Sequence, residues 1–236
     1  MSLKTDSPEK GRIKIKTADL FDLSHTLAAA YLARSVYPWE VLKDIKDAII
    51  SIGNSLPKDE YDNISENVWV HKTAKIAPTA FIGSPTIIGA ETEVRHCAFI
   101  RESALIGSRC VIGNSVEIKN AILFDNVEAP HFNYVGDSVL GYRSHMGAGA
   151  VTSNVKSDKT PVVVKCGGIN IETGSIKCGA FLGDYAEVGC NCVLNPGTVI
   201  GRNTIVYPTA CVRGVIPENS ICKTGSVTVE ERVRDK

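Results

Sequence analysis

Two basic residues, Arg101 and Lys119, stand 18 positions apart in the sequence. If the chain completes one turn every 18 residues, their side chains lie on adjacent strands, one above the other. Like charges facing each other across a sheet destabilise it, and a bound phosphate would relieve that repulsion. Arg offers a bidentate fork and Lys a point charge. Two solvated surface charges would have the same spacing, so both interpretations stay open.

A histidine, His131, follows Lys119 by 12 positions and is expected on a different side of such a turn. Gly113 is expected one turn below it and Gly147 one turn above, which would leave room for a substrate beside the ring. Imidazole is the usual general base near neutral pH. An exposed histidine without a chemical role would fit the same position.

The 18-residue turn is inferred from aliphatic residues that recur every six positions. The two runs are Val70, Ile76, Ile82, Ile88, Val94, Ile100, Ile106, Ile112 and Ile118, then Ile176, Leu182, Val188, Leu194, Ile200, Val206 and Val212. A period of six matches neither an amphipathic helix nor a simple exposed strand, and it is typical of hexapeptide β-helix repeats. We therefore expect an all-β triangular prism with three hexads per coil.

The repeats suggest three parts: a helical segment over residues 1–66, a β-helix over 67–217 and a tail over 218–236. Two helices are predicted in the first part, over 17–34 and from Pro38 to about Ile52, packed on the flank of the repeats or on another subunit. The hexads slip by two residues between Gly136 and Leu140 and vanish over 152–173. A loop of that length in a compact domain is usually functional.

Composition narrows the function further. The formal net charge is zero with no basic block, so we expect neither a nucleic-acid surface nor a membrane-binding patch. The longest apolar stretch is far shorter than the ~20 residues of a membrane span. The eight cysteines form no C-x-x-C pair, which favours reduced structural thiols and a cytoplasmic location.

The segment from Ile112 to Asn154 contains the elements G-N-x-V-E-x-K, H-x-x-Y-x-G-D and G-A-G-x-x-T-x-N. In order and spacing it resembles the acetyltransferase domain of the bifunctional glucosamine-1-phosphate acetyltransferase and N-acetylglucosamine-1-phosphate uridyltransferase. It is also similar to the related domain of archaeal sugar-1-phosphate nucleotidyltransferases. The match is gapless from about Arg101. It implies a left-handed parallel β-helix, a homotrimer with sites between subunits, and acetyl-CoA as cosubstrate without a required metal.

The resemblance implies that Arg101 and Lys119 bind the phosphate of an amino-sugar 1-phosphate, with Lys159 from the interrupting loop reaching the same group. Tyr134 would contact the sugar. His145 stands where the bifunctional enzyme has a sugar-binding asparagine, so the identity of the amino sugar stays open.

For the chemical step, the resemblance implies that His131 takes a proton from the attacking amine. Asn154 would stabilise the oxyanion or hold the acetyl carbonyl, and the backbone of Ala148 would lie beside the thioester. Tyr207 and Gly225 fall at coenzyme-contacting positions of that enzyme, so those contacts are not carried over. The uridyltransferase half has no counterpart, and no nucleotidyl transfer is expected.

Two other functions stay open. Zinc carbonic anhydrases of the hexapeptide type need three converging histidines. His96 and His131 are candidates, but Gly136 occupies the place of the third ligand and His145 is too far along the chain. The second alternative is a non-catalytic sugar-phosphate-binding or assembly protein that kept the pocket without acyl transfer.

Overall fold

The structure is a computed structural model that describes residues 14–223 and 229–231. Short parallel strands stack in successive coils around a narrow core, which confirms the predicted β-helix with a small helical N-terminal segment. Of the sixteen repeat aliphatics, thirteen are buried. Ile176 is an exception, because it lies on the inserted segment with 51% of its surface exposed, and its assignment to the repeat was wrong.

The prism has three faces, and strands are numbered along the chain. The first face contains β2 (Val68–His71), β5 (Thr86–Ile88), the C-terminal halves of β7 (Phe99–Ile106), β9 (Glu117–Leu123) and β11 (Tyr134–Leu140), then β16 (Ala180–Leu182), β19 (Thr198–Ile200) and β22 (Val215–Ile216). An antiparallel strand, β1 (Tyr61–Ser65), pairs with β2 at the start of this face.

The second face contains β3 (Lys75–Ile76), β6 (Glu93–Val94), β8 (Val111–Asn114), β10 (Glu128–His131), β12 (His145–Met146), β17 (Glu187–Val188), β20 (Ile205–Val206) and β23 (Ser220–Cys222), with β24 (Val229–Glu231) antiparallel at its end. The third face contains β4 (Phe81–Ile82), the N-terminal halves of β7, β9 and β11, then β13 (Val151–Thr152), β18 (Val193–Leu194) and β21 (Cys211–Val212). The predicted domain boundaries remain predictions, although β23 continues the second face beyond residue 217.

The coils shorten from 18 to 17 residues in the middle of the prism. Ile100 pairs with Ile118 at an offset of 18, whereas Ile118 pairs with Val135 at an offset of 17. The corner from the third to the first face has three residues after Ile100 but only two after Ile118 and Val135. The predicted two-residue slip between Gly136 and Leu140 is therefore wrong in detail, because two successive coils each lack one residue.

The N-terminal segment consists of α1 (Thr17–Leu20), α2 (Ala29–Leu32) and α3 (Ile45–Ser55), with 3₁₀ helices at Leu23–His25 and Pro38–Lys43. The single helix predicted over 17–34 is wrong. The Asp22 side chain accepts a hydrogen bond from the Ser24 backbone N–H, and the Asp22 N–H donates to Asp184 at 2.7 Å. These bonds take the place of helical ones, as Asp and Ser side chains commonly do.

This segment covers the first face. The Trp39 ring packs against Phe181 at 5.7 Å and Phe21 against Phe124 at 5.1 Å between centroids. The outward-pointing residues of the first face are consequently buried: Trp69, Ile87, Leu105, Ile122, Val139, Phe181 and Val199. Nothing in the described chain covers the third face in the same way, where Phe81 and Phe99 are 57% and 42% exposed.

Candidate functional site

The corner between the third and first faces carries a line of outward residues, one from each coil. Each follows the inward residue of its third-face strand: Gly83, Arg101, Lys119, Gly136, Ser153, Asn195 and Arg213. Above Gly83, cations stand at both ends of this line and small or neutral residues in the middle. The line gives the candidate site its long axis.

A buried carboxylate organises the middle of the line. Asp137 is 3% exposed, and its Oδ1 accepts a hydrogen bond from Asn120 Nδ2 at 2.8 Å. Its Oδ2 accepts from Asn154 Nδ2, which also donates to the Tyr134 hydroxyl at 3.0 Å. An amide nitrogen has two hydrogens, so both donors of Asn154 are engaged and only its Oδ1 stays available. The expected role of the Asn154 side chain as an oxyanion donor does not fit this geometry.

Tyr134 lies across the backbone of Gly136. A Cβ at position 136 would stand 2.3 Å from the Tyr134 hydroxyl oxygen, so only glycine permits this placement. Burial raises the pKa of Tyr134, and the neighbouring Asp137 and Glu117 carboxylates add to the rise. The phenol therefore stays protonated, and because its oxygen accepts from Asn154, its hydrogen is left to donate to a ligand.

Arg101 and Lys119 share this edge, and the predicted 18-residue offset holds for Ile100 and Ile118, but the predicted direct stacking of the two cations is wrong. Lys119 pairs with Glu102, and Arg101 lies at an irregularity between Ile100 and Glu102 where the corner shortens. Arg101 Nη1 contacts Glu117 Oε1 at 2.9 Å. Within residues 14–223, Lys119 has no ion pair or side-chain hydrogen bond. One cation is held by a carboxylate and the other is open to an anion.

His131 lies at the opposite edge of the third face, where the second face ends. Its predicted glycine neighbours are wrong, because His131 pairs with Asn114 in β8 and the residue facing Gly113 is Pro130. The imidazole is exposed, and the only contact found for it in the described chain is with the Phe132 ring at 6.1 Å between centroids.

The Gly149 N–H donates to the His131 carbonyl at 3.0 Å, which places Ala148, rather than the predicted Gly147, one coil above His131. No hydrogen-bond acceptor is found for the Ala148 N–H among residues 14–223.

The remaining predicted residues lie elsewhere. His145 is on the second face, with Nδ1 at 2.9 Å from Glu128 Oε2, and does not reach Tyr134 or Asn154 in the same chain. Lys159 is exposed on the inserted segment, and its side chain has no partner among the described residues. The predicted site therefore divides into two half-sites. His131, Ala148 and His145 form the second-face half-site, and Arg101, Lys119, Tyr134 and Asn154 form the third-face half-site.

The inserted segment after Asn154 encloses a cavity of about 510 Å³ at the upper end of the corner line. Its hairpin consists of β14 (Val163–Cys166) and β15 (Ile169–Glu172). Three cations line the cavity, Lys156, Lys165 and Arg213, against one carboxylate, Asp158, which lies 3.5 Å from Lys156 Nζ. The excess of positive charge suits an anionic group.

Sequence reasoning missed Asn120, Asp137 and Arg213. The spacing could have indicated Asn120 and Asp137, because Asn120, Asp137 and Asn154 follow one another at intervals of 17 residues, the length of the shortened coils. In residues 14–223 and 229–231, no three His, Cys, Asp or Glu side chains come together as metal ligands. No helix in the same residues is long and apolar enough to span a membrane.

The fold and the corner cluster define a β-helix of hexapeptide repeats with a polar site at one edge. No family model matches the chain. Its sequence is 40% identical over 48 residues to the "Bifunctional protein GlmU" of Methanococcus maripaludis strain C5, covering 20% of this chain and 12% of that protein. It is 34% identical over 53 residues to the protein of the same name from Methanocaldococcus jannaschii, covering 22% of this chain and 13% of that one. The resemblance read from the three motifs is confirmed as this partial similarity.

Among solved structures, the acetyltransferase domain of PglB from Neisseria gonorrhoeae in complex with acetyl coenzyme A aligns with 69% of this chain and 56% of its own. That alignment has 15% identity and a TM-score of 0.33. The UDP-N-acetylglucosamine acyltransferase of Francisella novicida aligns with 69% of this chain and 67% of its own, at 16% identity and a TM-score of 0.41.

Proposed function

We propose that this protein transfers an acetyl group from acetyl-CoA to the amine of an amino-sugar 1-phosphate. The observation that carries the proposal is the Tyr134, Asn154 and Asp137 hydrogen-bond network beside Arg101 and Lys119. It combines neutral groups suited to hydroxyls and an amine with cations suited to a phosphate. The partial similarity to proteins named GlmU supports the same reaction.

The sugar phosphate would bind along the third-face half-site. Lys119, half-buried and without a carboxylate partner in residues 14–223, would contact the phosphate directly. Arg101 would share its guanidinium between Glu117 and the phosphate, since a guanidinium has five N–H donors. The Tyr134 hydroxyl would donate to the sugar. Lys159 is the candidate for a further phosphate contact from the inserted segment.

In the chemical step the amine nitrogen attacks the thioester carbon, the new C–N bond forms and the C–S bond breaks. His131 accepts the proton that the amine loses and can return it to the departing thiolate of coenzyme A. The Ala148 N–H, one coil above and without an acceptor in residues 14–223, would donate to the oxyanion. No step requires a metal.

The coenzyme phosphates would occupy the cavity lined by Lys156, Lys165 and Arg213. Arg213 lies four strand spacings from Lys119 along the corner line, or about 19 Å. The pantetheine arm separates the thioester from the pyrophosphate by a comparable length. The coenzyme would thus lie along the upper half of the line and the sugar along the lower half.

The two half-sites would meet between copies of the chain in a homotrimer. In a ring of identical subunits, one patch of each copy contacts a different patch of the next. The second-face edge with His131 and Ala148 would then approach the neighbour's third face with Tyr134 and Asn154. The exposed Phe81 and Phe99 on that face are suited to such a contact. We also propose that the protein acts in the cytoplasm.

An acetyl-transfer assay over a panel of amino-sugar 1-phosphates tests the proposal, with release of free coenzyme A thiol as the readout. We expect turnover with at least one acceptor and loss of that turnover in His131→Ala. Binding of a sugar phosphate without acetyl-CoA binding, measured by calorimetry, would instead support a non-catalytic binding protein.

A further inference from the structure

The Asp137 carboxylate is buried without a positive charge in contact with it among the described residues. It is 3% exposed, and no Lys, Arg or His lies within 4.0 Å of it among the described residues. Burying an unpaired carboxylate is costly, and proteins retain such groups where they serve a function. The other fully buried aspartate in the described chain, Asp184, has Arg202 at 3.0 Å. The proposed reaction assigns Asp137 no contact with substrate.

What Asp137 does contact is the amide of Asn154. Asn154 Nδ2 donates to Asp137 Oδ2, so the Asn154 group facing this carboxyl oxygen is the NH₂. The Asn154 Oδ1 must then point away from Asp137, and it is the one group of this side chain that can accept from an incoming amine. Asp137 thereby fixes which end of the amide a substrate meets.

The second oxygen of Asp137 extends the network to the N-terminal segment. Asn120 Nδ2 donates to Asp137 Oδ1 at 2.8 Å and approaches the Leu42 carbonyl at 3.3 Å. Asp137 and Asn120 both have positive φ, 49° in each case, and form the shortened two-residue corners. The corners that shorten the coils therefore also bring these side chains together.

We propose that Asp137 is a positioning residue, which orients the Asn154 amide so that its Oδ1 accepts a hydrogen bond from the acceptor amine. This inference rests on the proposed acetyl transfer. The hydrogen bond holds the amine lone pair toward the thioester while His131 takes the proton. In Asp137→Asn, an NH₂ replaces one of the two acceptors, so two donors face each other at Asn154 or at Asn120 unless that amide flips. A flipped Asn154 presents a donor to the amine.

A charge-swap series tests this. Asp137→Asn and Asn154→Asp are each expected to lower kcat roughly tenfold or more, with little change in KM for the sugar phosphate. In the double variant D137N/N154D, the carboxylate introduced at position 154 accepts from the amide introduced at position 137 and still offers an oxygen to the amine. We expect its kcat to recover to within about tenfold of wild type. A double variant as slow as the product of the two single losses would overturn the proposal.

Two further measurements separate the possible causes of failure. Asp184→Asn removes a different buried carboxylate, and we expect it to lower the melting temperature with kcat nearly unchanged. Selective ¹⁵N-asparagine labelling follows the Asn154 side-chain NH₂ signals, identified by their loss in Asn154→Ala. These signals should shift in Asp137→Asn, which removes the carboxylate that accepts from them, and should stay in place in Asp184→Asn.

The NMR measurement does not depend on activity. If wild-type protein transfers no acetyl group to any acceptor, the proposed function fails. The Asn154 signals then still report whether Asp137 orients the amide, and signals unaffected by Asp137→Asn would contradict that orientation.

Discussion

The first and third faces of the prism are built from the same hexads, yet their outward residues are buried on the first face and exposed at Phe81 and Phe99 on the third. On the first face, Phe181 is buried beneath Trp39 and the rest of the N-terminal segment. On the third face, the Phe81 and Phe99 rings contact each other at 5.4 Å between centroids, with their planes tilted by 60°, and remain exposed. The polar cluster around Asp137 lies at the corner where these two faces meet.

This contrast indicates a division of labour. Covering the first face within one chain removes apolar surface from water and stabilises the solenoid at about 25 cal/mol per Å². Leaving the third face open keeps an apolar surface and the corner residues available to a ligand and to another copy. Substitutions on the first face should therefore affect folding, and substitutions around the third face should affect chemistry and assembly.

The largest effect is expected for His131→Ala at the edge of the open face. Loss of a general base lowers turnover about 10²–10⁴-fold. Because the ring is exposed and makes little contact, the free energy of unfolding should change by less than about 0.5 kcal/mol. Steady-state kinetics and urea denaturation measure the two quantities. A fall in turnover of less than tenfold would remove His131 from the role of base.

A matched pair of phenylalanine truncations compares the two faces directly. Phe181→Ala on the covered face should cost about 3–5 kcal/mol in the free energy of unfolding. Phe81→Ala on the open face should cost less than about 1 kcal/mol in dilute protein and should weaken self-association instead. Urea denaturation measures the loss of stability, and sedimentation measures the weakened self-association. Equal losses of stability in the two variants would contradict the contrast between the covered first face and the open third face.

A smaller effect is expected for Arg101→Gln. Hydrogen bonds to a charged group contribute about 1.5–3 kcal/mol, so KM for the sugar phosphate should rise roughly 10–100-fold while kcat changes little. Arg109→Gln is the control, since Arg109 is also exposed on the repeats and bonds to Asn126. If both variants raise KM alike, Arg101 does not bind the phosphate.

The last prediction concerns the thiols. Burial raises the pKa of Cys110 and of Cys178 to about 12 from an ordinary value near 9. A raised pKa means less thiolate at a given pH, about a thousandfold less below both values. At pH 8, a thiol reagent should modify the three exposed cysteines, Cys97, Cys190 and Cys211, and the other five only after unfolding. Protection of Cys211 at high protein concentration would place the contact between copies on the third face, where β21 carries it.

The sequence was sufficient for the solenoid because its core positions repeat. Residues such as Ile112 and Val188 face inward at the expected places, and their burial determines the register of most coils. The two 17-residue coils were not predictable from the aliphatic pattern alone. Asn120 and Asp137 adopt positive φ at two-residue corners, and that local choice depends on hydrogen bonds made across coils.

The sequence indicated several residues of the candidate site, but it did not indicate how their side chains contact each other. The motifs identified Tyr134 and Asn154, which the structure joins by a hydrogen bond. The pairing of His145 with Glu128 could not be predicted, because it depends on the one-residue shortening of a coil. The contact of Arg101 with Glu117 occurs at the irregularity after Ile100, which the hexad pattern does not show. Asp137 was overlooked as an individual residue because its proposed role depends on its burial and its hydrogen bonds to Asn120 and Asn154, which the sequence does not show.

The proposed acetyl transfer depends most on the two half-sites belonging to different copies of the chain. Mixing two inactive variants, His131→Ala and Asn154→Ala, after co-refolding at equal amounts tests it directly. If His131 of one copy acts with Asn154 of the next, about a quarter of the sites are intact and roughly a quarter of wild-type activity returns. If both residues must come from one chain, every site carries a defect, and a mixture no more active than its components would contradict the account.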